Sequence, residues 1–282
     1  MTFAVNPLSI TPVRAAPAGK SELLTQMLFG ECAEVIEFKG KNWVKVRCIT
    51  DNVIGCVRTG QLRTITPTEQ DDYRAFWAFA LDVLHPVMSA EMSRPITIGA
   101  RLPLFDGLRC SLGEERLNYS GQAVFPQDMR PSAALIIKFA RRYLHAPYLH
   151  GGRSPFGIDA GALVQLVFGF TGILLPRFPA EQVTRGRTVD FVQQAQPGDI
   201  AFFEKRSGVI RHAGILLPEG RIIHAFEQVR IDRIDHYGIY NENLQKYTHK
   251  LRIVRRFLEN QPQKTEAAKA DDAVPVNQIG LF

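Results

Sequence analysis

Between Leu24 and Leu62 apolar and polar positions alternate in short runs, LLTQMLF, AEVIEF, WVKVRCI and IGCV, broken by a KGKN turn and a turn at Asp51-Asn52. A period of two punctuated by Gly and Asn predicts a small antiparallel barrel. The same texture, less regular, fills about residues 73–126 through YRAFWAFALDVLHPV, PITIGARLPLF, RCSLG, RLNYSG and AVFP, and predicts a second, degenerate barrel. At Pro131 the period changes. PSAALIIKFARRYLHA sets Leu135, Ile136, Phe139, Tyr143 and Leu144 on one helical face, with Pro131 as a first-turn residue. Asp159 heads a second apolar run, AGALVQLVFGFTGI, as its N-cap. The period then returns to two in DIAFFEK, HAGILL, RIIHAF and VRIDRI, so helices followed by antiparallel strands predict an α+β domain. The expected divisions are 1–66, 67–128 and 129–259, with a flexible tail over 260–282.

Composition changes this picture little. The 282 residues allow two domains at roughly 150 residues each, or three if some are small. A 45% apolar and 22% charged content excludes wholesale disorder. No apolar stretch is long enough to span a membrane, and the opening MTFAVNPLSITPVRAAP has neither a charged n-region nor an apolar h-region, so a cytoplasmic location without membrane association is expected. The net charge of +6 is spread along the chain without the aromatic and basic signatures of nucleic-acid modules, so no nucleic-acid partner is expected. Cys32, Cys48, Cys56 and Cys110 show no metal-ligand spacing and read as buried small hydrophobes.

Two histidines carry the first chemical signal. If Pro218-Glu219-Gly220 is a hairpin loop, residue 217 pairs with 221, and His212 and His224 then project from the same face. Same-face histidines form a dyad in which one ring can orient the other as a general base. The alternative is two buried rings satisfied by backbone carbonyls. A nucleophile serving such a base gains from the first turn of a helix, where the dipole and unpaired N–H groups lower a thiol's pKa. Position 160, just after the Asp159 cap, fits, and it holds alanine. His85, His145, His236 and His249 have no partner at a meaningful spacing and read as structural or surface residues.

Residues 143–258 resemble the NlpC-type cysteine peptidases, a papain-like family that cleaves the peptide stems of bacterial cell wall. The family's P-Y-x-x-G-G-x-S-x-x-G-x-D-C-S-G-L-V-Q is similar to PYLHGGRSPFGIDAGALVQ, and its later P-G-D-L-x-F-F, H-V-G-I and I-H-A motifs are similar to PGDIAFF, HAGI and IIHAF. The resemblance implies His212 as general base, His224 as the orienting polar residue, Tyr148 as an oxyanion ligand and Ala160 at the nucleophile position. SELLTQMLFGE, WVKVR and DNVIGCV similarly resemble the bacterial Src-homology-3-type barrel, with Cys56 where that family has Trp. The implied fold is two such barrels followed by a papain-like α+β peptidase domain, and no metal or organic cofactor is implied.

Barrels ahead of such a domain resemble the γ-D-glutamyl-L-diamino acid endopeptidases, which trim free murein stem peptides bearing an N-terminal L-Ala. There a carboxylate in the barrel and the Asp before the nucleophile hold the substrate's ammonium, which implies Glu22 and Asp159 here. Gly161 replaces the family's Ser, and His150 replaces a Trp ahead of Gly151 and Gly152, either lining the cleft or packed in its loop. Because an alanine methyl cannot attack a carbonyl, the chain is expected to be inactive as written. Two explanations stand: a Cys→Ala replacement made to trap substrate, favoured by the surviving Tyr148, Asp159, His212 and His224, or a natural pseudoenzyme that binds wall peptides. The expected partner is a stem peptide, and the expected state is a monomer.

Overall fold

The computed structural model describes residues 2–204 and 208–258; the tail expected to be flexible lies outside the described residues. The alternating N-terminal segment forms a seven-stranded antiparallel sheet. Two of its strands, Thr2–Val5 and Ile10–Arg14, precede the stretch recognised from sequence. Alternation does what it predicts: in Trp43–Cys48 every second residue is buried, and Val44, Val46 and Cys48 join Val13, Met27, Ala33 and Val57 in a small core.

The middle segment departs from the all-strand expectation at its start. Pro67–Ala75 is an α-helix, closed by a capping box in which the Thr66 hydroxyl accepts from the Glu69 N–H while the Glu69 carboxylate accepts from the Thr66 N–H. Thr66-Pro67-Thr68-Glu69 carried that signal, and the apolar run that follows obscured it. Beyond the helix lie a four-stranded and a three-stranded sheet around a core that includes Ile96, Leu112, Leu117 and Tyr119.

In the third segment the cap of the first helix is Ser132, whose hydroxyl accepts from the Leu135 N–H, and the helix runs Ala133–Arg141. Pro131 therefore precedes the cap instead of occupying the first turn, because a Ser side chain satisfies an orphan N–H that Pro cannot. The second helix, Ala160–Gly169, is buried along its whole length. Six strands, Ile200–Glu204, Ile210–Leu217, Arg221–Phe226, Gln228–Ile234, Gly238–Asn241 and Lys246–Arg256, pair in succession, and the last pairs with both the first and the fifth. The sheet is thereby closed. Ala213, Ile215, Ile223 and Ala225 face outward onto the buried helix, whereas Ala201, Phe203, Leu216 and Ile222 fill the barrel's interior.

The N-terminal sheet is fastened to this domain by buried polar contacts. Arg153 makes two bonds to the Glu31 carboxylate, at 2.7 and 3.0 Å, and a third to the Gln26 carbonyl. The four cysteines are free and buried, and burial pushes the Cys32 and Cys110 thiols up to about 12.

Candidate active site

The hairpin has the expected register: Leu217 pairs with Arg221 and Gly214 with His224. His212 and His224 therefore share the inner face of the barrel near its rim, and His212 Nε2 lies 2.9 Å from His224 Nδ1. Gly214 makes room for this, since a Cβ there would stand 2.9 Å from that of His224. The far nitrogen of His224 meets the Asp232 carboxylate at 3.0 Å. Because a carboxylate only accepts, His224 Nε2 carries the proton, His224 Nδ1 accepts from His212 Nε2–H, and His212 Nδ1 is left with its lone pair. Among the described residues the rings meet each other and Asp232, not backbone carbonyls. Burial lowers His212 well below the ordinary imidazole value of 6.5, helped by the neighbouring His249 and His224, and burial lowers His224 against the pull of Asp232. Both rings are neutral at neutral pH.

Asp232 and His249 were missed from sequence. Asp232 was within reach of the pairing argument, since His224 faces Arg230 and Ile222 faces Asp232 on the next strand. His249 was not, because a bulge intervenes: Phe202 pairs with Ile253 but Phe203 pairs with Leu251. Without the extra Arg252, strict alternation from the inward Val254 would turn Arg252 and Lys250 inward. With it, Leu251 and His249 face the interior, and the His249 ring stacks on that of His212 with centroids 4.0 Å apart. The expectation that His249 has no partner is thus corrected.

The second helix begins as expected. Asp159 is its N-cap, accepting from the Ala162 N–H at 2.9 Å, and Ala160 is the first helical residue. The N–H groups of Ala160 and Gly161 lack intrahelical acceptors by geometry and form a donor pair beside position 160. Asp159 does more than cap. Its carboxylate also accepts from the Gly151 N–H and takes both Arg177 amino groups, at 2.8 and 2.6 Å. Burial alone would raise its pKa, but the Arg177 guanidinium and these donors hold it below the ordinary 3.8. Nothing in the spacing of ILLPRFPAEQ pointed to Arg177, which is fully buried.

Glu22 pairs instead with His150 at 3.3 Å, on an exposed rim where the barrel meets the glycine loop. His150 is therefore neither packed nor enclosed. The Leu23 carbonyl stands 2.3 Å from where a Gly151 Cβ would be, at a φ of +77°, so only glycine fits there. The two carboxylates expected to face one ammonium thus meet different side chains of the protein, Asp159 the Arg177 guanidinium and Glu22 the His150 ring. Gly161 is buried against the chain: its Cβ would lie 2.5 Å from the Arg177 carbonyl, and its own carbonyl accepts from Gln182. Tyr148 is half-exposed, and burial together with the nearby Asp159 charge raises its phenol above the ordinary value, keeping it a donor.

Residues 145–252 match the NlpC/P60 family, and residues 13–62 match the bacterial dipeptidyl-peptidase Sh3 domain. The chain is 31% identical over 113 residues to the gamma-D-glutamyl-L-lysine dipeptidyl-peptidase of Bacillus subtilis (strain 168), covering 39% of this chain and 38% of that protein. It is 34% identical over 117 residues to the gamma-DL-glutamyl hydrolase of the same organism, covering 40% of this chain and 28% of that protein. The chain thus spans well under half the length of these relatives. The crystal structure of an NlpC/P60 family protein from Bacillus cereus ATCC 10987 superposes with a TM-score of 0.77 at 21% identity, covering 91% of this chain and all of that one, a likeness of fold. Residues 145–252, which carry the paired histidines and the capped helix, are thus similar to the NlpC/P60 family, and residues 13–62, within the N-terminal sheet, are similar to the bacterial dipeptidyl-peptidase Sh3 domain.

Proposed function

We propose that this scaffold is a cysteine endopeptidase for the γ-D-Glu-diamino acid bond of free murein stem peptides bearing N-terminal L-Ala, with Ala160 at the place of the nucleophile. The observation that carries the reading is the ordered relay His212–His224–Asp232, with His212 Nδ1 left as the available base. In the active form a thiol at position 160 gives its proton to His212 and attacks the scissile carbonyl. The oxyanion is met by the Tyr148 hydroxyl and the first N–H groups of the helix, and the protonated His212 then delivers its proton to the leaving amine. Water hydrolyses the resulting thioester with His212 as base. The exposed Glu22, beside His150, is the carboxylate that meets the substrate's amine. Asp159, saturated by Arg177 and two N–H groups, holds the helix start and the glycine loop in place. Recycling of wall fragments by a cytoplasmic monomer is the biological setting this reading implies.

With alanine at 160 the chain binds such peptides and does not cleave them, whether the alanine is a replacement or the natural residue of a peptide-binding pseudoenzyme. Ala160→Cys is the test. Incubated with L-Ala-γ-D-Glu-meso-diaminopimelate and with its N-acetylated form, it should release L-Ala-D-Glu from the first alone, followed by mass spectrometry. Cleavage of neither, with binding of the free peptide retained by both proteins, would establish the pseudoenzyme instead.

A further inference from the structure

The relay uses two of the three imidazoles that converge in the mouth of the C-terminal barrel. His212, His224 and His249 each offer one nitrogen, and these three atoms lie within 4.8 Å of one another. We propose that His212, His224 and His249 form a binding site for one divalent transition-metal ion of the zinc class, which needs no group at position 160 and which, when bound, displaces the proton shared by His212 and His224 and so competes with the relay.

Four features of the site support this. Three imidazole nitrogens are the donor set of borderline ions such as Zn2+, Ni2+ and Cu2+, whereas Mg2+ and Ca2+ need oxygen ligands. Ligands at 2.0–2.1 Å from a tetrahedral zinc stand roughly 3.3 Å apart, and His212 Nε2 and His224 Nδ1 are already 2.9 Å apart. Asp232 holds the far nitrogen of His224 at 3.0 Å and is itself held by Arg230 at 2.9 Å. That is the carboxylate–histidine arrangement that fixes the tautomer and ring angle of a metal ligand. Finally, the bulge at Arg252 expends an unpaired residue to turn His249 inward, and bulges re-aim side chains in this way next to functional sites.

The rings also show what must move. His224 stands edge-on to both other rings, at 89° to His212 and 81° to His249, while His212 and His249 are stacked with planes 26° apart. Ring lone pairs lie in the ring plane, so ligation turns the half-buried His249 off the stack while Asp232 keeps His224 in place.

The test uses the full chain with Ala160 in place, so its failure and that of the peptidase reading are distinguishable. Protein stripped with EDTA is titrated with zinc sulfate by calorimetry and, separately, with cobalt(II), whose visible absorption reports coordination geometry. The expected result is one ion per chain, with the intense bands of tetrahedral cobalt. Asp232→Asn should weaken binding by about 10- to 100-fold, and His249→Asn should abolish it with the circular dichroism unchanged. Absence of stoichiometric zinc uptake, a cobalt spectrum like that of the aqueous ion, or full affinity in a folded His249→Asn protein would each overturn the proposal.

Discussion

Arg177 shows how much one side chain can settle. It is fully buried and gives the Asp159 carboxylate a two-pronged partner within the protein. Removing it would strand a buried anion, which typically costs about 3–5 kcal/mol. Arg177→Ala should accordingly lower the unfolding free energy by that order in urea titrations, and a loss under 1 kcal/mol would mean the pair is effectively solvated. The Asp159 pKa is depressed in the fold, so its contribution is fully present above the ordinary 3.8 and disappears as pH falls through the lower folded value. Gly161 makes the complementary case. Restoring the serine that the family carries would press a Cβ against the Arg177 carbonyl, so Gly161→Ser should destabilise by about 1–3 kcal/mol, seen as a lower melting temperature.

At the level of elements, hairpin arithmetic placed His212 beside His224 because the loop Pro218-Glu219-Gly220 fixes the register and alternation does the rest. The same arithmetic failed at the last strand, where an extra residue breaks the alternation and no local feature of KYTHKLRIVRR announces it. Gly214 is the point at which the two histidine strands press together, a Cβ there lying 2.7 Å from the Ile222 side chain. Gly214→Ala should therefore cost about 1–3 kcal/mol and separate the two rings. The second effect is read from the imidazole nitrogen resonances, which should lose the signature of the shared proton. Pro67–Ala75 teaches the opposite lesson, since its capping box was legible and the strand-like YRAFWAFA that overlaps its end concealed it.

Across the whole molecule the N-terminal sheet and the C-terminal domain share an interface. Leu28 belongs to the same apolar cluster as Leu163 and Ile215, and Arg153 and Glu31 are both almost fully buried between them. Glu31→Gln leaves the guanidinium without its anion, and by the same cost of about 3–5 kcal/mol it should destabilise the chain. Simultaneous loss of the intrinsic fluorescence change and far-ultraviolet dichroism would show that the two parts unfold together. The histidines set the pH dependence. His212 and His224 are held below 6.5 in the fold and regain that value on unfolding, so below about pH 6.5 the unfolded chain binds more protons. Stability should be constant above that pH and decline as pH falls through it. His224→Gln, which cannot titrate there, should flatten the decline in denaturation midpoints measured across pH 5 to 7.

The sequence by itself determined what is local or repeats with a fixed period: the alternating strands, the helix behind Asp159, the hairpin that aligns His212 with His224 and the alanine at position 160. Each follows from spacing along one element or across one turn. Only the tertiary structure decided that Asp159 is occupied by Arg177, that Glu22 turns to His150, and that Asp232 and His249 complete the histidine cluster. Those partners lie 18, 128, 8 and 37 residues away from the groups they meet, on other strands or loops. What brings them together is barrel closure, a bulge and the burial of one domain against another, which depend on the packing of the whole chain and leave no periodic trace in any one segment of it.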